Sequence, residues 1–356
     1  MDSDNDIPVF VALSGGVDSS VAAFLLKKRF KNLSGISHLH WPESRCCSKE
    51  FLNNCAEFCR ELSIPYLVVH CQIAFKKQVV DPFVSGYIEG IALNPCVICN
   101  EKIRFSHMIE KYHQMQGLPM PEKYYLATGH YARINKKEDR YYLLRGKDRK
   151  KDQSYMLYRL SQEELSHCLF PLGKHTKSEV KKWAIKWGIS SAQHKESQDI
   201  CFTMGSYQDF ITSHLHSPIR PGDFLDESGK KLGSHKGIVF YTQGQRKGLG
   251  LSGGPWYVKQ IDPNKNIIIL SRQKKALLKK RFIIKDTHWI YPEIPEGFPC
   301  TVETRLRSKE KNCILNRKKE KEWTVEMAEP SYDVCPGQSA VFYEGDYVVG
   351  GGIIQE

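Results

Sequence analysis

The chain lacks long apolar runs. None approaches the roughly 20 residues that a membrane-spanning helix needs, so no membrane partner is expected. The first eight residues, Met1 to Pro8, are acidic and show neither an apolar core nor an Arg-rich amphipathic pattern. Neither a secretory signal nor a transit peptide is expected there, and the cytoplasm is the expected location. The twelve cysteines are therefore not expected as structural disulfides. Most read as buried thiols acting as small apolar residues. No Gly-Lys-Ser/Thr follows the N-terminal glycines, which excludes a Walker A loop. No second Cys-x-x-Cys is present, which excludes a four-cysteine zinc ribbon. No internal repeat and no extended low-complexity segment interrupts the chain.

Acidic residues are also in short supply. Lys and Arg number 52 against 40 Asp and Glu, a net charge of +12. The basic residues cluster at Lys147 to Lys151, Arg272 to Arg281 and Lys309 to Lys321. That is the footprint of a polyanion binder, and interleaved aromatics point to RNA. With 356 residues, 41% of them hydrophobic, two or three domains are expected.

Near the N-terminus a β-prone run, Val9 to Leu13, meets Ser14-Gly-Gly-Val-Asp-Ser19 and then a helical pattern. Glycines let backbone approach a ligand closely. The helix behind such a turn aims unpaired N–H groups and its positive dipole end at whatever sits there, most naturally phosphate. Strand-like and helix-like stretches then alternate. Strands are expected at Leu33–His38, Tyr66–Val69 and Tyr124–Thr128. Helices are expected at Ser19–Arg29, Lys49–Leu62, Phe75–Ile91 (interrupted near Asp81-Pro82) and Ile103–His113. This predicts a parallel α/β sheet with helices on both faces. Its ligand site would lie beyond the carboxyl ends of the strands, at the Gly-Gly turn, Ser37–Trp41 and Thr128-Gly129-His130. After about residue 205, short apolar runs from Gly237–Tyr241 to Tyr347–Gly350 recur between turns, predicting one or two small β-barrels.

Asn94-Pro-Cys-Val-Ile-Cys-Asn100 is a second chemical signal. Asn-Pro favours an extended turn before the cysteines. The pair Cys96 and Cys99 would sit at the start of a helix beginning near Glu101, where the dipole lowers a thiol's pKa from about 8.5 toward neutrality, with Lys102 and Arg104 assisting. Such a pair suits redox chemistry, half a zinc site or an iron–sulfur site. Cys201, in a loop between helices expected at Ser178–Trp187 and Ser206–His214, is the candidate third sulfur. Lys151-Asp-Gln-Ser-Tyr155 reads either as a phosphate contact or as a capped helix start. Gln243 to Gly250 reads either as a loop on RNA backbone or as a plain hairpin loop.

These stretches resemble the tRNA-uridine 2-sulfurtransferase (tRNA 2-thiouridylase) family of the PP-loop ATPase superfamily. So do Ala127-Thr-Gly-His-Tyr-Ala-Arg133, Ile200-Cys-Phe202, Pro255-Trp-Tyr-Val258, Pro336-Gly-Gln-Ser-Ala340 and Gly350-Gly-Gly-Ile-Ile354, and together they run in order from end to end. The resemblance implies a Rossmann-like PP-loop parallel-sheet domain at residues 1–205, a central β domain at 206–276 and a C-terminal β-barrel domain at 277–356. It implies ATP on Ala12, Leu13, Ser14, Gly15, Gly16, Val17, Asp18 and Ser19, with backbone near His38 and Gly129 around the nucleotide and Mg2+ organising the triphosphate. A flipped wobble uridine would lie by Asn94, Pro95 and Cys96. ATP would adenylate its C2 oxygen. Cys201 would carry a persulfide from a cysteine desulfurase or sulfur-carrier protein, and Cys99 would complete the exchange, leaving 2-thiouridine, AMP and pyrophosphate. A disulfide bond is among the family's features. Lys151, Asp152, Gln153, Arg305 and Leu306 would touch the tRNA anticodon arm.

Two positions depart from the family. Cys96 stands where many members have Asp, which puts a general acid or base role there in doubt. Cys96, Cys99 and Cys201 together supply three thiolates, enough for a 4Fe–4S cluster with one open iron site, and otherwise mutually repelling. Leu306 stands where Tyr is frequent. A zinc site of Cys46, Cys47, Cys55, Cys59 and His40 is conceivable, with buried or incidental thiols the stronger reading. Competing functions are another PP-loop ligase, which would lack the cysteine pair, and a non-catalytic RNA-binding protein, which would not turn over ATP.

Overall fold

The computed structural model describes residues 6–42, 44, 47–189, 200–203, 206–215 and 218–355. The chain divides into two compact units. One holds Met1–Val79, Cys96–Met204 and Gly345–Val348; the other holds Val80–Pro95, Gly205–Glu344 and Val349–Glu356.

The first unit begins with β1 (Val9–Ala12), α1 (Val17–Lys27), β2 (Leu33–Leu39), α2 (Lys49–Glu61) and β3 (Tyr66–His70). The chain continues through α3 (Gln72–Phe75) and a π turn (Lys76–Val80) to α4 (Asp81–Ile88), which belongs to the second unit. Next come α5 (Pro95–Cys99), a second π turn (Asn100–Arg104), α6 (His107–Gln116), β4 (Tyr125–Ala127), β5 (Ala132–Lys137) and β6 (Arg140–Arg145). α7 (Gln162–His167), β7 (Cys168–Leu169) and α8 (Lys177–Lys186) follow. Strands order as β3-β2-β1-β4-β7, each neighbouring pair parallel. The order turns back on itself between β1 and β4. That is a topological switch point, where crevices form beyond the strand ends.

Alternation along β1 explains the layers. Val9 and Val11 point into a core shared with Ala23 and Leu26 of α1 and Cys55 and Cys59 of α2. Phe10 points the other way, onto Tyr112 and His113 of α6. Each fully buried valine contributes about 1.5–3 kcal/mol. The polar residues of β2 did not prevent a strand, because Ser37 is buried with its hydroxyl donating to the Leu13 carbonyl (3.1 Å).

Several expectations need correction. The helix expected over 75–91 is interrupted near Asp81-Pro82 as expected, there by a π turn that ends at Val80, and it stops at Ile88; Pro82 sits in the first turn of α4, a position that proline tolerates. The helix expected to begin near Glu101 begins at Pro95, because proline suits a first helical position. The hairpin β5–β6 was not foreseen; its basic residues mask the strand alternation.

The second unit contains α9 (Tyr207–His214), β8 (Gly222–Asp226), β9 (Lys231–His235), β10 (Tyr257–Asp262) and β11 (Ile267–Ser271), the strands forming a sheet β10-β11-β8-β9. The run 237–241, expected as a strand, holds a 3-10 turn at Ile238–Phe240 that packs on α4 and α9. A short apolar run alone does not separate these outcomes. Beyond it lie β12 (Lys279–Trp289), β13 (Phe298–Glu303), β14 (Lys311–Lys319), β15 (Glu322–Ser331), β16 (Ser339–Glu344) and β17 (Tyr347–Ile354). They run β12-β15-β14-β13-β16-β17, and β12 pairs with β17 to close a six-stranded antiparallel barrel. Phe282, Leu315, Trp323, Val325 and Phe342 fill it.

Candidate active site

The glycine loop joins β1 to α1. Gly15 adopts φ +64°, and a Cβ there would meet the Phe51 ring at 2.6 Å, so both conformation and space require glycine. Gly16 precedes α1, and among the described residues no side chain caps the helix. Its first-turn amides are thus left for an anion. The Ser19 hydroxyl ties the loop internally, accepting from the Ser14 amide (3.1 Å) and donating to the Gly16 carbonyl (3.0 Å). Gly129, just after β4, lies against this turn: a Cβ there would stand 2.8 Å from the Ser19 nitrogen.

Asp18 is held from two sides. Lys177 Nζ, at the first position of α8, reaches both carboxylate oxygens at 2.7 Å, and the Tyr131 hydroxyl donates to Oδ1 at 2.9 Å. Lys177 is itself placed by the capping box of Thr176 and Glu179. Neither Lys177 nor Tyr131 was singled out from the sequence as a partner of the loop. The available signals were the Thr176–Glu179 spacing and the position of Tyr131 in the Thr-Gly-His-Tyr run.

At the carboxyl end of β2, His38 stacks on His40 with centroids 4.7 Å apart. Burial, reinforced by His40 and Arg104, holds His38 well below the ordinary imidazole range, and its Nε2 has no hydrogen-bond partner among the described residues. His40 is buried beside Phe75. Its Nε2 lies 3.4 Å from the Sγ of Cys201, which is exposed. Phe202, next in the chain, packs edge-on against Phe75.

In α5, Cys96 and Cys99 are both half-buried. Burial pushes the Cys96 thiol up, against the pull of Arg104. For Cys96 the dipole lowering expected of a helix start is thus outweighed. The Arg104 charge also bears on His38 and His130, so one guanidinium faces both the cysteine segment and the sheet edge. Asn100 fixes that arginine, accepting from Nη1 at 2.9 Å while donating to the Met156 carbonyl. Lys102 instead pairs with Glu101.

Family models match three stretches of the chain. They are described as a tRNA methyl transferase HUP domain (residues 7–205), a tRNA methyl transferase PRC-barrel domain (208–272) and an aminomethyltransferase beta-barrel domain (279–354). The tRNA-specific 2-thiouridylase MnmA 1 of Caldanaerobacter subterraneus subsp. tengcongensis is 40% identical over 98% of this chain and 98% of its own. The tRNA-specific 2-thiouridylase MnmA of Moorella thermoacetica is 40% identical, covering 97% of this chain and 98% of its own. That of Chloroflexus aurantiacus is 41% identical with the same coverage. The chain belongs to the tRNA-specific 2-thiouridylase family.

Within this family member the expected RNA-contacting residues are placed as follows. Asp152 is buried, and its oxygens accept from Arg145 Nη1 (3.0 Å), the Gly146 amide (2.8 Å) and the Ser154 hydroxyl (2.8 Å). Gln153 Oε1 accepts from the Tyr131 amide. Both side chains thus brace the loop that presents half-buried Lys151. In the second unit, Arg305 Nη2 donates to the Cys335 thiol, which donates to the Gln243 carbonyl (3.7 Å). That chain links the Arg305-Leu306 turn to the loop carrying exposed Arg246 and Lys247. Gln338 donates to the Ala92 carbonyl, steadying the approach to Asn94 and Pro95.

Among the described residues no group of three His, Cys, Asp or Glu side chains is placed to hold a single metal ion. Cys55 and Cys59 lie in the apolar core, and burial pushes Cys59 up to about 12. Cys46 lies outside the described residues. None of the other eleven cysteines is in a disulfide.

Proposed function

We propose that this chain thiolates C2 of the wobble uridine of tRNA at the expense of ATP. One observation carries the reading most directly. An exposed cysteine, Cys201, stands against the carboxyl end of β2, the strand beside the one that feeds an uncapped glycine loop. A nucleotide cradle and a nucleophile thus share a sheet edge. Backbone at Ala12 to Ser19, with Gly129 behind it and His38 beside it, binds the phosphates. Lys177 neutralises Asp18 so that the loop does not oppose them. Mg2+ would offset phosphate charge. With Asp18 occupied by Lys177 and Tyr131, that ion would be held by the triphosphate itself.

C2 of uracil is a poor electrophile bearing a poor leaving oxygen, and transfer of AMP to that oxygen makes it leave. Cys201, as a persulfide supplied by a cysteine desulfurase or sulfur-carrier protein, presents its terminal sulfur to C2. The Cys99 thiolate then attacks Cys201 Sγ. The Cys201–sulfur bond breaks with its electron pair on the sulfur at C2, and AMP departs with the former C2 oxygen. A Cys99–Cys201 disulfide is left for an external thiol to reduce before the next turnover. Asn94, Pro95 and Cys96 lie by the base; Lys151, Arg305 and Leu306 approach the anticodon arm, with Asp152 and Gln153 shaping their loop. The working division is 1–205 for catalysis, with 206–276 and 277–356 as two β domains gripping RNA, all in the cytoplasm.

The test is anaerobic thiolation of tRNA with ATP and a persulfide donor, alongside iron and acid-labile sulfide assays. The expected result is iron-free activity, lost in Cys99→Ser and in Cys201→Ser while ATP binding survives. About four irons per chain, lost together with activity in Cys96→Ser, would overturn the persulfide route in favour of a cluster. RNA binding without ATP turnover would leave only a binding protein.

A further inference from the structure

We infer that His40 is the proton acceptor that readies Cys201 for sulfur loading, a positioning role built into the end of β2. The inference rests on the reading of Cys201 as the persulfide carrier.

The geometry of the ring sets its tautomer. Nδ1 lies 3.2 Å from the carbonyl oxygen of His38. A carbonyl only accepts, so that contact requires Nδ1–H. The proton on Nδ1 leaves the lone pair on Nε2, which faces Cys201 Sγ at 3.4 Å. The ring is held in place by stacking on His38 and by Phe75, centroid distances 4.7 Å in each case. On the Nδ1 side Cys47 Sγ lies at 3.6 Å and also receives the His40 amide (3.3 Å). A cysteine against a histidine whose far nitrogen is fixed by a third group is the arrangement that activates a thiol. The same residue is buried while its sulfur partner is exposed, so a donor can reach the sulfur without displacing the base.

The step balances. His40 Nε2 takes the Cys201 thiol proton. The thiolate attacks the outer sulfur of a donor hydropersulfide, R–S–SH. A Cys201 Sγ–S bond forms as the donor S–S bond breaks, and the departing R–S⁻ takes the electron pair and the proton from His40 to leave as R–SH. Cys201 becomes Cys–S–SH with no external oxidant or reductant. Among the described residues, the other titratable or charged groups around the pair include His38, Cys47, Cys71 opposite Cys47, Lys111 beside Cys71, and Arg104 beside His38. Their cationic members do not replace a base.

The experiment measures alkylation of Cys201 by iodoacetamide at peptide resolution from pH 5 to 10 in the full-length protein. Wild type is compared with His40→Asn and His40→Ala, the latter with and without added imidazole. Thermal unfolding and ATP binding report that the variants are folded. The expected result is at least a tenfold slower alkylation at pH 7 in both variants. The pH midpoint moves upward, and imidazole restores rate in His40→Ala. Wild-type rate and profile in folded His40→Asn would overturn the inference. Mass spectrometry of Cys201 after donor treatment separates the two readings. Cysteine reactivity that depends on His40, but with no added sulfur on Cys201 during active thiolation, would sink the persulfide reading while leaving the pair intact.

Discussion

Asp18 and Lys177 form an ion pair on the glycine loop proposed to bind ATP. Replacing Lys177 by Met leaves a half-buried carboxylate without its cation, a cost of about 1–3 kcal/mol, and turns a negative charge toward the phosphates. ATP affinity measured by calorimetry should fall between tenfold and a hundredfold, with Lys177→Arg recovering part. Unchanged affinity would remove Lys177 from the site. Proton linkage gives a second expectation at this scale. Burial, aided by Arg104, holds the imidazole of His130 down to about 3. An unfolded chain takes up that proton near pH 6.5, and the folded chain does not. Its contribution is therefore complete above about pH 6.5 and lost as pH falls toward 3, at about 1.4 kcal/mol per unit. His38 acts in the same direction. Urea midpoints should drop on acidification from pH 7 to 5, and less steeply in His130→Asn; parallel profiles would show that His130 is not held neutral. The sequence made the glycine loop legible because its chemistry is local. It left Lys177 and Tyr131 unread as partners of the loop, and His40 without its Cys201 neighbour, because each reaches its partner from a distant segment. Asp152 shows the converse: a residue that resembles a ligand contact in a basic run turns out to be buried among donors of its own loop.

Elements were most legible where burial is two-sided. β1, with both faces covered, reads as a continuous apolar run, and α2, with Ser48 capping its amide end, reads by its spacing. Strands with one wet face, β8, β9 and β14 among them, carry too many charges to stand out. The π turns before α4 and after α5 were not foreseeable from periodicity, which assumes one repeat. At this scale the tight packing of Gly129 on the turn opening α1 makes a sharp prediction. Gly129→Ala places a methyl group 2.8 Å from the Ser19 nitrogen and 2.9 Å from the Asp18 carbonyl carbon. The turn must shift, so ATP affinity should fall at least tenfold while circular dichroism of the sheet is retained. Full affinity would show that the loop has slack.

For the whole molecule, charge and connectivity are the informative properties. With a net charge of +12, tRNA affinity should fall steeply with salt, each neutralised phosphate adding about −0.7 to −0.9 to the log–log slope. Arg246→Ala and Lys247→Ala, on the exposed loop of the second unit, should each make the slope shallower by roughly one such step; a slope indifferent to both would place RNA elsewhere. The order of motifs was readable from end to end, but the division of the chain between units was not, because it depends on residues that return from far away. Asp346 forms ion pairs with Arg133 and Arg149 in the first unit, and Tyr347 pairs with Leu144 there. The following residues of β17 close the barrel against β12. One strand, β17, thus serves both units at once, Tyr347 and Val348 in the first and the residues from Val349 onward in the second, so its removal would cost each of them a piece of its structure.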